Sequence, residues 1–308
     1  VKGIGLSINP TYLCNFRCDF CYLTKEQLAD KSKLELEKLK SQILHISKYR
    51  NIDKVDIYGG ELALLSYEYL FEFDQIIREF YEGQINIITN LSIINPFFLS
   101  ASNSLSVSWD YHLRQDHQKV LDNIKSINKD VHILMLASTQ MLKWTQEEVD
   151  ECIDIFNEIE NIKDVEIKPY SENQANSHAH SYKDFEALII KWISSKRKKK
   201  FNFTNIQLIE RSLKQENHSW SDDHLYICPE GKLNVLDFDK NQNEYFLKLD
   251  SFLDYEIWCR DEKHKVSSNS HCSSCNYLGN CLSEHLKEVY DLDQSCNGFR
   301  GLLDYYAQ

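Results

Sequence analysis

The chain has 308 residues, 42% of them hydrophobic, enough to build one large domain and a smaller one. A net charge of −12 argues against a general nucleic-acid binder, which needs a basic face to neutralise phosphate. Charges break every apolar run within about ten residues, too short to span a bilayer, and no signal-peptide pattern opens the chain, so no membrane role and a cytoplasmic location are expected.

Residues 4–9 read as an apolar strand, and the loop after it carries Cys14-Asn15-Phe16-Arg17-Cys18-Asp19-Phe20-Cys21. The chain has ten cysteines in total, and in a reducing compartment short spacings point to metal rather than disulfides. Three thiolates can hold three irons of a cubane and leave the fourth open to a ligand. A zinc site completed by a distant fourth ligand is the alternative that spacing leaves open. Leu36, Leu39, Ile43 and Ile46 then share one helix face. A second strand, 54–58, runs into Gly59-Gly60-Glu61, where glycines allow close backbone approach and a carboxylate can accept from an ammonium. Tyr69, Leu70, Phe73, Ile76, Ile77 and Phe80 mark the next helix.

A third strand, 85–90, ends in Thr89-Asn90, and a fourth, 105–109, leads through Ser106 and Ser108 to Asp110. Read alone, each of these is a turn or a cap. Helices are expected near 116–127, 146–159 and 182–199, around a fifth strand at 132–137 and a sixth at 165–168. Six strand–helix repeats imply a parallel α/β sheet, a partial (β/α)6 TIM-like barrel with active residues at the C-terminal strand ends. The basic run Lys196 to Lys200 reads as the solvated end of the last helix.

Beyond residue 200 the alternation is expected to stop, which divides the chain into a core, 1–200, and a small C-terminal domain, 201–308. Residues 224–237 read as a hairpin turning at Pro229-Glu230-Gly231, with Cys228 at its start. Cys272-x2-Cys275-x5-Cys281, with Cys296 beyond, offers four thiolates for a closed cubane or a structural zinc. Cys152 and Cys259 read as small buried hydrophobes.

The C-x3-C-x-Phe-C loop and the marks that follow on successive strand ends resemble the radical S-adenosylmethionine (radical SAM) superfamily. That resemblance implies a 4Fe–4S cluster on Cys14, Cys18 and Cys21 and S-adenosylmethionine on its open iron. Phe20 would pack on adenine, Gly59, Gly60 and Glu61 would hold the methionine amino group, and Thr89, Asn90, Ser108 and Asp110 would line the cofactor site. No basic partner for the methionine carboxylate is visible on the fifth strand, where Ser138 and Thr139 stand. The tail resembles a reduced, twitch-type form of the SPASM domain found in maturases of ribosomally made peptides. Leu236 and His285 stand where that domain has cysteines, so one auxiliary 4Fe–4S cluster is expected, on Cys272, Cys275, Cys281 and Cys296.

By this resemblance the chain cleaves S-adenosylmethionine reductively to a 5′-deoxyadenosyl radical and abstracts hydrogen from a precursor peptide. The outcome is a C–C, C–O or thioether crosslink or an epimerised residue, the last with Cys228 as candidate hydrogen donor. The alternative is a dehydrogenase or maturase acting on a small molecule or a protein side chain. The implied partners are the peptide, an external electron donor such as flavodoxin or ferredoxin, and a separate leader-binding protein.

Overall fold

A computed structural model describes residues 3–170, 173–178, 181–236, 245–282, 296 and 299–308. All six expected strands form: β1 (Ile4–Ile8), β2 (Ile52–Ile57), β3 (Ile85–Thr89), β4 (Asn103–Ser108), β5 (Val131–Ala137) and β6 (Ile162–Pro169). They pair in parallel and in chain order. The helices between them are α1 (Leu36–Ser47), α2 (Tyr67–Arg78), α3 (His117–Ser126), α4 (Gln146–Asn157) and α5 (Tyr182–Ser194). From β3 to β4 the chain crosses with only a 3-10 turn, Pro96–Leu99. This is the expected α/β architecture, a partial TIM-like barrel left open.

Alternation along the strands sorts side chains by face. Leu6, Ile8, Val55, Ile57, Ile87, Val107, Ile133, Val165 and Ile167 are buried in one core with Leu39, Ile43, Leu70, Phe73 and Ile77 of the helices. The residues between them point into the barrel; many are polar, while Ile88 and Leu136 bring apolar surface to it. Asn86 donates to Asp56 at 2.8 Å and accepts from Ser106 at 2.8 Å, while His132 lies 3.6 Å from Glu166. Apolar burial against the helices therefore stabilises the sheet and leaves the interior face free for chemistry.

Two expectations about the second half are corrected. Alternation does not stop at Lys200: β7 (Asn202–Phe203) pairs in parallel with β6 and leads into α6 (Thr204–Leu213). The basic run is not a helix end either. The chain turns extended at Ser195, whose hydroxyl donates to Asp150 at 2.6 Å, so Lys196 to Lys200 follow the helix in a connector.

The hairpin forms as β8 (His224–Ile227) and β9 (Leu233–Leu236), closed by Gly231 at φ 77°, with its N–H donating to the Cys228 carbonyl at 2.8 Å. Asp237, at its expected end, and His285 lie outside the described residues. A further strand, β10 (Phe246–Leu249), extends the hairpin, and α7 (Phe252–Ser267) and α8 (Arg300–Tyr306) follow. β8 pairs in parallel with β1, so one sheet of order β10-β9-β8-β1-β2-β3-β4-β5-β6-β7 runs across position 201 without a break. Among the described residues no helix is long and apolar enough to cross a membrane.

Candidate active site

The loop after β1 is held by backbone contacts with the end of β2. Gly60 N–H donates to the Thr11 carbonyl at 2.9 Å, and Glu61 N–H donates to that of Leu13 at 2.8 Å. A Cβ at Gly59 would stand 2.3 Å from the Thr11 oxygen, and one at Gly60 2.1 Å from the Leu13 oxygen, so only glycine permits this approach. The Gly-Gly-Glu segment thus fixes the path of the chain into Cys14.

Cys14, Cys18 and Cys21, all half-buried, open onto one cavity of about 170 Å³. Its wall also carries Phe20, Gly59, Gly60, Thr89, Asn90 and Ser108, so seven of the expected cofactor-site features meet there, counting the cysteine group as one. Each sulfur has its own donor. Phe16 N–H reaches Cys14 Sγ at 3.4 Å, Leu23 N–H reaches Cys21 Sγ at 3.4 Å, and the Arg114 guanidinium reaches Cys18 Sγ at 3.8 Å. Burial pushes the Cys14 thiol up to about 11 and raises Cys18 and Cys21 as well. A metal cluster that replaces the thiol protons, leaving the thiolate sulfurs to accept from those N–H donors, fits this set. Among the described residues, no three His, Cys, Asp or Glu side chains converge on a point that would hold a single ion.

Glu61 and Asp110 stand behind the wall rather than on it. The Glu61 carboxylate, 1% exposed, accepts from the Thr89 hydroxyl at 2.6 Å, from Asn90 N–H at 2.7 Å and from Ala63 N–H at 2.9 Å. Burial raises its pKa, against the pull of these hydrogen bonds. Its structural effect is to tie the ends of β2 and β3 together. Asn90 then donates to Asn15 of the cysteine loop at 3.1 Å.

Asp110 is fully buried and accepts from Arg114 Nε at 2.7 Å and from Leu136 N–H. Arg114 is the residue that sequence reasoning missed: it is the cation on the cavity wall, and its guanidinium lies 5.3 Å over the Phe20 ring. Burial works against its charge, but Asp110 and Cys18 outweigh that and hold it protonated. The signal available was an aspartate and an arginine four apart on a strand-end loop. Tyr58, at the end of β2, also lines the cavity and was not singled out.

Cys228, the candidate hydrogen donor, is 1% exposed and is not on the cavity wall. Asn9 donates to its sulfur at 3.9 Å, Tyr12 is hydrogen-bonded to it, and burial raises its pKa. It packs with Tyr12, Leu23, Leu28, Tyr226 and Phe246, one layer behind Cys14 and Cys21. Because β8 pairs with β1, Cys228 at the strand end is pressed into that layer.

In the tail, Cys272 and Cys281 share a small buried cluster with Val266. Burial raises the Cys272 thiol to about 11, and the neighbouring Cys296 and Cys275 add to this. Tyr277 N–H donates to Cys275 Sγ at 3.4 Å, and Asn217 donates to the Cys281 carbonyl at 2.7 Å. Cys152 and Cys259 are buried as expected.

No protein-family model and no curated protein matches the chain. Solved structures do. SuiB of Streptococcus suis bound to S-adenosylmethionine is 17% identical, with a TM-score of 0.64, over 96% of this chain and 76% of that one. Native anSMEcpe with bound AdoMet is 17% identical, with a TM-score of 0.68, over 99% and 97%. The chain shares their fold. The likeness persists in anSMEcpe with bound AdoMet and Cp18Cys peptide, at 16% identity, a TM-score of 0.69 and the same two shares of 99% and 97%. At such identities the likeness shows the fold.

Proposed function

We propose that this chain is a radical SAM enzyme that modifies a peptide. The carrying observation is that three thiols from one strand-end loop and residues from the ends of β2, β3 and β4 line a single cavity. Cys14, Cys18 and Cys21 would hold the 4Fe–4S cluster, which when bound supplies the electron that cleaves S-adenosylmethionine to the hydrogen-abstracting radical. Phe20, Gly59, Gly60, Thr89, Asn90 and Ser108 bind and enclose the cofactor, and the apolar wall of Ile88 and Leu136 excludes water. Glu61 and Asp110 position that wall from behind. Cys272, Cys275, Cys281 and Cys296 would hold one auxiliary 4Fe–4S cluster as an electron outlet. The likeness to SuiB bound to the precursor peptide SuiA and to anSMEcpe bound to a peptide supports a peptide substrate.

With Cys228 behind the wall, a crosslink is favoured over epimerisation, which needs a donor facing the substrate. A crosslink removes two hydrogen atoms from the peptide: one would pass to the 5′-deoxyadenosyl radical to give 5′-deoxyadenosine, and the other would leave as a proton and one electron, for which an auxiliary cluster would offer an outlet to an external acceptor. The test is anaerobic reconstitution followed by incubation with S-adenosylmethionine, dithionite and candidate precursor peptides. We expect about eight irons per chain, the content of two cubanes, and 5′-deoxyadenosine that Cys18→Ala abolishes. The peptide product should be lighter by two hydrogens. An unchanged peptide mass with inverted residues would replace the crosslink by epimerisation, and 5′-deoxyadenosine from Cys18→Ala would overturn the assignment of the site.

A further inference from the structure

We infer that the Asp110–Arg114 pair is a positioning device that sets the redox poise of the cluster carried by Cys14, Cys18 and Cys21. The inference rests on the cluster reading above and goes beyond it by assigning a role to two residues that hold no iron.

Arg114 is 15% exposed and is fixed on every side. Two of its nitrogens bond Asp110 Oδ2, at 2.7 Å and 2.5 Å, and the other carboxylate oxygen is tied to the backbone N–H of Leu136 on β5. The carboxylate therefore cannot swing, and neither can the guanidinium. Its remaining nitrogen is 3.8 Å from Cys18 Sγ, and its plane lies over Phe20. The next residue closes the clasp, because the Gln115 side-chain oxygen accepts from Arg17 N–H, inside the cysteine motif, at 3.2 Å. The loop that carries them is bracketed by two left-handed non-glycine residues, Tyr111 at φ 51° and Asp116 at φ 52°. Such conformations cost free energy and persist where surrounding contacts over-determine them.

Reducing a thiolate-bound cubane by one electron, from a donor such as flavodoxin or dithionite, adds one negative charge and releases no ligand. A fixed cation beside one ligand stabilises that added charge, more so in a site of low dielectric. A hydrogen bond to the ligand sulfur acts in the same direction. Arg114 does both at Cys18 and makes the reduced state easier to reach. Asp110 restrains the effect with its own charge while it fixes the geometry.

The test is a dithionite titration of the anaerobically reconstituted full chain, followed by electron paramagnetic resonance, without S-adenosylmethionine. Arg114→Gln is expected to lower the equilibrium constant for reduction about tenfold, a downward shift of about 59 mV for a one-electron couple. Asp110→Asn is expected to move it upward, because it removes a negative charge and leaves the guanidinium. Opposite shifts are not what a loosened loop would give. An Arg114→Gln equilibrium constant for reduction within twofold of wild type overturns the inference, even if affinity for S-adenosylmethionine falls, and so does a shift of both variants in one direction. If Arg114→Gln keeps no iron, Asp110→Asn decides alone: a rise supports the inference and no rise overturns it. A wild-type chain that binds no cluster would instead sink the functional reading on which this rests.

Discussion

Gly60 shows how one missing side chain builds the site. A Cβ there would lie 2.1 Å from the Leu13 carbonyl oxygen and 2.3 Å from that of Tyr12, and these are backbone atoms on the approach to Cys14. They cannot move without moving the cysteine loop. Gly60→Ala should cost about 1–3 kcal/mol, as overpacking does, and should lower iron retention after reconstitution. Gly83→Ala is the control. The three atoms nearest its new carbon all belong to the Tyr81 side chain, which can turn aside at the loss of its bond to the Gln84 carbonyl, so about 1 kcal/mol or less is expected. Urea unfolding of the cofactor-free protein and an iron count measure both, and equal behaviour of the two variants would sink this account of the loop. At this scale the cysteines, Phe20 and the strand-end residues were legible because motif order follows strand order. Arg114 was not, because its contact with Cys18 spans 96 residues and depends on how the loop after β4 folds back over the one after β1. Glu61 was legible as a residue but not in its direction, since nothing local says that its carboxylate turns toward Thr89 and Asn90.

Among the elements, β5 makes the two-faced character of the sheet testable. His132 lies on its polar face, 3.6 Å from Glu166 of β6. Burial lowers its pKa from the usual 6.5, with Glu166 and Asp164 opposing and Lys168 and Lys54 assisting. The unfolded chain therefore binds a proton near pH 6.5 that the folded chain takes up only at lower pH. Folding stability should fall as pH drops below about 6.5, because the unfolded state then binds more protons. In His132→Gln that component is absent, so the wild type should lose stability relative to the variant between about pH 7 and pH 5. Parallel urea midpoints across that range would refute it. The same alternation explains what the sequence could reveal about the elements. Strands β1 to β6 were legible from their buried apolar residues. Strand β7 was not, since two residues, Asn202 and Phe203, carry no period. Helix α5 was read too long because Lys196 to Lys200 are good helix formers, whereas Ser195 spends its hydroxyl on Asp150 of α4 and the chain turns extended.

For the whole molecule, the change of pattern near residue 200 is not a mechanical seam. β8 runs beside β1 with Gly5–Ile8 paired to His224–Ile227, and Asn9 N–H donates to the Ile227 carbonyl at 2.8 Å. β1 therefore lies inside the sheet only because the tail covers it. Tyr226, Cys228, Leu236 and Phe246 of the hairpin and β10 also bury Tyr12, Leu23 and Leu28 of the cysteine loop. A chain cut after Lys200 would expose the edge of β1, with Ile4, Leu6 and Ile8 on it, together with that apolar loop. Exposed apolar area costs roughly 25 cal/mol per Å², and an open, flat, apolar edge invites pairing with other chains. We expect residues 1–200 alone to aggregate or to melt without cooperativity, whereas the full chain melts cooperatively. Cys275→Ser in the full chain separates this effect from loss of the auxiliary cluster. It should roughly halve the iron, from about eight to about four, and leave the sheet, the elution volume and the signal of the first cluster in place. The comparison is made by size-exclusion chromatography and thermal melting of the three proteins side by side. A monomeric, cooperatively melting 1–200 fragment that still loads four irons would mean that the tail is an appendage and that the β1–β8 pairing does not hold the site.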